Sequence, residues 1–355
     1  MRSLLFAQNH HFLRRSSAAA PIGSWHDPTV CISRFFGSSS ESSGKDKKRK
    51  QSMALPPFMD SVARGAGQVV FLNSPQSGLA ILGSLALGDP YLAGLAAVGT
   101  AAATGAAKVL GDKDALANGL CGYNGCLVGC ATAVFIAPPA LWMSALATTT
   151  IAGAASPFVA NALKPAMGSV PQWTLSFNFV TLSMLLRSKP FEGSAPMPPY
   201  DGSFLNLAIS APLKGVSQIF VVDSNLTGAA LLGSMALYSP GLAAHTVMGA
   251  SLGAMTGAAL GADVAHLAIG LWGFNSALTS LGVGVFFVHS PTTVAVSAGG
   301  AVATAALFGA FQQVFGTFDA PCLTLPFCIA MSGCYLMKLP GFKLAKNPHS
   351  PEKNE

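Results

Sequence analysis

The sequence predicts an all-α polytopic membrane protein made of two inverted repeats, each with five spanning helices plus one re-entrant half-helix, about ten transmembrane helices in all. Three observations lead there: a charge-poor composition, a succession of apolar stretches near membrane-spanning length, and short segments that occur twice in the same order.

Of 355 residues, 51% are apolar and 10% are charged, against about 25% charged in an ordinary soluble domain. A soluble chain of this length needs a charged shell to face water, so a soluble enzyme is excluded. Nor does the chain carry HExxH, a phosphate-binding loop, CxxC or a nucleophile–base pairing, and no enzymatic activity is expected. The charge is also segregated. Residues 1–52 hold nine Lys/Arg and three acids, while the other 303 residues hold eleven of each, so the net +6 belongs to the tail. The basic balance therefore marks a tail, not a nucleic-acid-binding face, and no nucleic-acid partner is expected. The seven Cys form no His-flanked cluster, so neither a metal site nor a cofactor is expected. Cys121, Cys126 and Cys130 read as small hydrophobes.

Residues 1–52 begin with an Arg- and Ser-rich, acid-poor segment holding one short apolar run, which suits an organellar presequence better than a secretory signal. The polar, basic SSSESSGKDKKRKQS that follows reads as a disordered linker. A mitochondrial inner membrane is the expected address, with the plasma membrane as the alternative and a plastid membrane also compatible.

The body divides into a first membrane repeat at 53–187, a Pro-rich polar connector at 188–203, a second repeat at 204–340 and a polar C-terminal tail at 341–355. Apolar stretches cover 58–74, 91–110, 115–137, 139–163 and 171–187, then 203–222, 240–262, 264–289, 291–317 and 320–339. Most reach or approach the roughly 20 residues that a membrane helix needs. Ser77–Leu87 and Thr227–Tyr238 are too short. Short apolar pieces in matching positions of two halves point to re-entrant half-helices beside a transport pathway.

The two series are copies. Gln68-Val69-Val70-Phe71 aligns with Gln218-Ile219-Phe220-Val221, and Ser77-Gly78 with Thr227-Gly228. GLCGYNGCLVG aligns with GLWGFNSALTS, and WTLSFN with LTLPFC. The offset is 150 residues at the Gln and Thr anchors and 151 at Tyr123/Phe274. Small residues at Gly94, Gly99 and Gly105, and at Gly249, Gly253, Gly257 and Gly261, are expected to let helix backbones approach closely.

Ion-coupled carriers place acids, His or Lys inside the membrane. Here Arg64, Lys214, Asp223, His245, Asp263 and His266 mostly fall near stretch ends, where snorkelling accounts for them. Asp223 is expected to cap a half-helix that starts near Asn225. The duplicated polar residues are uncharged: Gln68, Gln218, Asn124, Asn275, Thr174 and Thr324. They stand beside the aromatics Phe71, Tyr123, Phe220 and Phe274. Aromatic faces can sandwich a flat neutral solute while oxygens accept from its N–H groups.

QVVFLNSPQSGLAIL, NGLCGYNGCLVG, WTLSFN, SQIFVVDSNLTGAALL, GLWGFNSAL and LTLPFC together resemble the signature blocks of the urea transporter family, from about Ser61 to Pro340. The resemblance implies ten spanning helices plus two re-entrant half-helices in inverted repeats. It also implies a homotrimer in lipid with one pore per protomer, and channel-like movement of urea. Matched residue by residue, one slot would use Phe71, Tyr123 and Leu127 with Gln68 and Val69 at its mouth. The other would use Phe274 and Leu278 with Gln218 and Ile219, and Thr174 and Thr324 would be the central hydroxyls. Two positions depart from the pattern: Val221 stands opposite Phe71, and Ser176 stands opposite Pro326. The competing reading is an ion- or proton-coupled carrier of another small polar solute, which would require an intramembrane acid.

Overall fold

The computed structural model describes residues 55–187, 200 and 202–354; the basic tail and nearly all of the connector lie outside them. Among the described residues the regular structure is helical, apart from two isolated bridges near the C-terminus. The first half runs α1 (Pro57–Gln68), α2 (Pro75–Gly88), α3 (Pro90–Ala107), α4 (Lys113–Ala117), α5 (Tyr123–Ala131, prolonged by a π turn to Ile136), α6 (Trp142–Met167) and α7 (Leu175–Arg187). The second half runs α8 (Phe204–Ser217), α9 (Asn225–Tyr238), α10 (Pro240–Ala259), α11 (Val264–Ala268), α12 (Phe274–Phe286), α13 (Pro291–Gly316) and α14 (Leu325–Leu336).

Local chemistry explains many of the starts. Ser74, Asp89, Ser239 and Ser290 each cap a helix whose next residue is proline. The cap oxygen takes an orphan amide, and proline costs nothing where its missing N–H would be unpaired. The breaks repeat as well. Backbones with positive φ occur at Phe71 and Val221, Gly111 and Gly261, and Trp173 and Leu323, each pair 150 residues apart, and at Gly119 and Gly270, 151 apart. The offsets match those between the duplicated sequence blocks. Two of these pairs place aromatic or branched side chains in a region that favours glycine, and both lie in the segments that carry the candidate site.

These breaks shorten the apolar stretches into pieces. Among the described residues three helical units are long and apolar enough to cross a membrane: Pro90–Leu110, Pro139–Met167 and Pro291–Gly316. Phe204–Phe220 with Asn225–Tyr238 makes a fourth if the pair, bent by 76°, counts as one. The stretch 58–74 ends as a helix at Gln68, and 171–187 becomes helical only at Leu175. Helices α2 and α9 have 14 residues each, about 21 Å of rise against a hydrocarbon core of about 30 Å.

Close packing rests on glycine where two helices cross. A Cβ at Gly99 would strike the Gly125 carbonyl, one at Gly249 the Ser276 carbonyl, and one at Gly253 the Trp272 carbonyl. Gly94 and Gly105 face open space, and Gly261 (φ 78°) ends α10 instead of packing. The expected small-residue packing thus applies to part of that set.

Residues 341–354 fold back on the second half. Phe342 stacks on Phe287 with ring centroids 3.8 Å apart, and Val288 and Ala345 donate backbone N–H groups across the two segments. Asn354 Nδ2 donates to the Val285 carbonyl at 2.7 Å, near the C-terminal end of α12. Glu352 accepts from Ser239 Oγ and from the Gly241 amide, both at 2.6 Å, at the N-terminus of α10. A carboxylate there meets unpaired amides and the positive end of the helix dipole.

Candidate functional site

The two halves meet at their repeated threonines. Thr174 and Thr324 precede α7 and α14, and their hydroxyl oxygens lie 2.7 Å apart. Thr174, Thr324, Asn178 and Cys328 are all at least 96% buried. Asn178 Nδ2 donates to the Thr174 carbonyl at 2.8 Å and to Thr324 Oγ1 at 2.9 Å, and Asn178 Oδ1 accepts the Thr324 amide at 3.1 Å. Cys328 Sγ lies 3.3 Å from the Thr174 hydroxyl.

Repeated asparagines anchor the same helices. Asn124 Oδ1 accepts the Phe177 amide and Asn275 Oδ1 accepts the Phe327 amide, both at 3.2 Å. Asn275 Nδ2 also donates to the Leu323 carbonyl. Their amides are thus engaged with the first turns of α7 and α14, where backbone N–H groups have no helical partner.

The glutamines behave alike. Gln68 Nε2 donates to the Asn118 carbonyl at 2.8 Å and Gln218 Nε2 to the Ile269 carbonyl at 3.0 Å, so each side chain is tethered to the turn that leads into α5 or α12. Val69 and Ile219 beside them, and Leu127 and Leu278 on α5 and α12, are at least 98% buried.

Around the second set lies a cavity of about 900 Å³, lined among others by Gln218, Ile219, Val221, Phe274, Leu323 and Thr324. It therefore joins four expected second-half residues; Leu278 is not part of its lining. Val221 is on the wall, where the smaller side chain leaves more room than a phenyl ring. On the first side, Phe71 meets Phe286 edge-on at 5.6 Å, and Phe286 meets Trp173 at 5.2 Å. Tyr123 Oη donates to the Trp173 carbonyl at 2.6 Å. Phe71 and Tyr123 are thus linked through Trp173, directly before the central Thr174. Phe220, by contrast, is fully buried in the core.

Charges sit at the matching corners. Arg64 Nη1 donates to the carbonyl and side-chain oxygens of Asn73 at 3.1 and 2.9 Å. Its counterpart Lys214 pairs with Asp223 at 2.7 Å. Asp223 does not cap α9 as expected: Ser224 does, accepting the Thr227 amide. Asp263 caps α11. Sequence reasoning missed Trp173, Phe286 and Asn178, although Trp173 and Asn178 stand at the two ends of the repeated WTLSFN block.

A sequence model of the family described as Urea transporter matches residues 59–339, the whole helical body. The chain belongs to the urea transporter family. Among its relatives, Urea transporter 1 of Ovis aries is 33% identical over 318 residues, covering 84% of this chain and 82% of that one. Urea transporter 1 of Mus musculus is 33% identical over 290 residues, covering 77% and 75%. With its apolar helices, the urea transporter body is that of an integral membrane protein, and the family is one of transporters, not of enzymes.

Proposed function

We propose that this chain moves urea down its gradient across a membrane in a channel-like manner, through Gln68, Val69, Phe71, Tyr123, Leu127 and Thr174 on one side and Gln218, Ile219, Phe274, Leu278 and Thr324 on the other. The observation that carries this reading is the buried Thr174–Thr324 contact between the two halves, flanked by aromatic and aliphatic side chains and free of charged side chains. A neutral solute that loses its hydration there needs fixed dipoles to replace water, and a flat solute with N–H donors and a carbonyl can use hydroxyl oxygens and protons alike. The coupled-carrier reading has less support, because Asp223 is paired with Lys214 and Asp263 is engaged as a helix cap.

The matching helix order and repeated positive-φ positions support a duplication, which the proposal takes as two inverted repeats with about ten spans, the half-length helices meeting from opposite sides. A lipid-embedded homotrimer and a mitochondrial inner-membrane address, with the plasma membrane as alternative, complete the proposal. Stopped-flow urea flux in proteoliposomes tests it. Flux that rises linearly with the urea gradient and ignores pH and sodium gradients is expected; flux that requires either ion gradient overturns it.

A further inference from the structure

We propose that Asn178 is the positioning residue of the pathway, a single amide that stitches the two halves together and orients the Thr174 and Thr324 hydroxyls for solute; this rests on the urea reading above. Its two ends cannot be exchanged. Oδ1 faces the Thr324 N–H while Nδ2 faces the Thr174 carbonyl. Flipping the amide would put donor against donor and acceptor against acceptor.

That orientation has consequences for the hydroxyls. Nδ2 has no acceptor lone pair, so Thr324 Oγ1 must accept from it. One lone pair of the pair is taken by Asn178, and another, with one proton, by the Thr–Thr bond. The two hydroxyls are then left with one proton and two lone pairs to share between Cys328 and solute. The midpoint can therefore both donate to a carbonyl and accept from an N–H. By joining the start of α7 to the start of α14, Asn178 also sets the separation of those hydroxyls.

The stitch is one-sided. The residue 150 positions later is Cys328, which comes no closer to the Thr174 hydroxyl than 3.3 Å and offers sulfur, a weak partner. The two positions are equally buried, at 1% and 2% exposure. The chain thus contains a natural control: exchange the two residues, and the stitch moves to the other half.

The test compares three full-length proteins in proteoliposomes: unsubstituted, Asn178→Cys, and the double exchange Asn178→Cys with Cys328→Asn. Asn178→Cys is expected to lower urea flux by about tenfold and the unfolding temperature by a few degrees, and the double exchange is expected to restore most of both. Unchanged flux in Asn178→Cys overturns the proposal. So does a loss that the exchange fails to restore, because the residue would then act only through packing on α7. If the unsubstituted protein carries no urea, the urea reading fails by itself, and the fall and recovery of the unfolding temperature still decide whether the amide joins the halves.

Discussion

Lys214 Nζ lies 2.7 Å from Asp223 Oδ1, at the place where the first half brings Arg64 to Asn73. The two halves hold the same loop, the second with this ion pair and the first with a charge-assisted hydrogen bond from an arginine that is itself paired with Asp60. Asp223 is about half exposed, so screening leaves the pair worth well under about 1 kcal/mol. Asp223→Asn, which copies the first half, should leave urea flux within about twofold and still independent of a proton gradient. A flux that becomes gradient-dependent, or vanishes, would show that this acid works in transport.

Val221 has φ 61° and Phe71 has φ 60°. Phenylalanine is therefore tolerated in this backbone conformation within the same fold. Val221→Phe should narrow the 900 Å³ cavity that Val221 lines. The ratio of urea flux to dimethylurea flux should rise by about tenfold, the scale on which a pocket rejects a methyl group. Measuring both solutes on one preparation checks this.

Thr174→Val and Thr324→Val each remove a hydroxyl while nearly keeping shape. Each should lower urea flux by about tenfold. Thr324→Val should also lower the unfolding temperature more than Thr174→Val, since Asn178 Nδ2 donates to the Thr324 hydroxyl and to the Thr174 backbone carbonyl. Equal midpoints in a thermal melt would contradict that ordering.

The folded C-terminal segment should loosen in acid. Burial holds the His349 imidazole below its ordinary 6.5, with Lys353 acting the same way and Glu352 opposing. The neutral ring, stacked on Tyr238 at 5.4 Å, is the docked form. Its contribution is complete above about 6.5 and is lost as pH falls below that. For Glu352, burial raises the carboxyl, but hydrogen bonds from Ser239, Gly241, Ser350 and its own amide outweigh it and hold the group below 4.5. That contribution is complete above 4.5 and is lost as pH drops through the lowered value. Protection factors for amide exchange in residues 341–354, which correct for the slower intrinsic exchange in acid, should therefore fall as pH drops below about 6.5, and the fall should weaken in His349→Phe.

Glycine packing divides into two classes. Gly253→Ala should cripple folding, because the added carbon would overlap the Trp272 carbonyl; Gly94→Ala meets nothing within 4 Å and should stabilise its helix by up to about 1 kcal/mol. Yield of folded protein and thermal midpoint distinguish them.

The membrane class, the duplicated blocks and the importance of Thr174 and Thr324 as a matched pair were legible because they depend on composition and on spacing along the chain. Thr174 and Thr324 stand in duplicated blocks, and the structure puts them in contact. The interruption after Gln68 was not legible, since its left-handed residue is Phe71, and neither propensity nor hydropathy places an aromatic there. Asn178 was hidden for a similar reason: its role comes from Thr324, 146 residues away, and its counterpart in the other copy is a cysteine. The capping of α9 depended on a one-residue choice between Asp223 and Ser224, which pattern reading resolves poorly.

The seam at Thr174 and Thr324 also bears on ancestry. On the proposed pathway the midpoint takes one hydroxyl from each copy, so a half-length forebear would have held no complete passage by itself and would have worked only by pairing with a second molecule. Split at the connector and expressed as separate fragments, the two halves should complement one another, and neither alone should conduct.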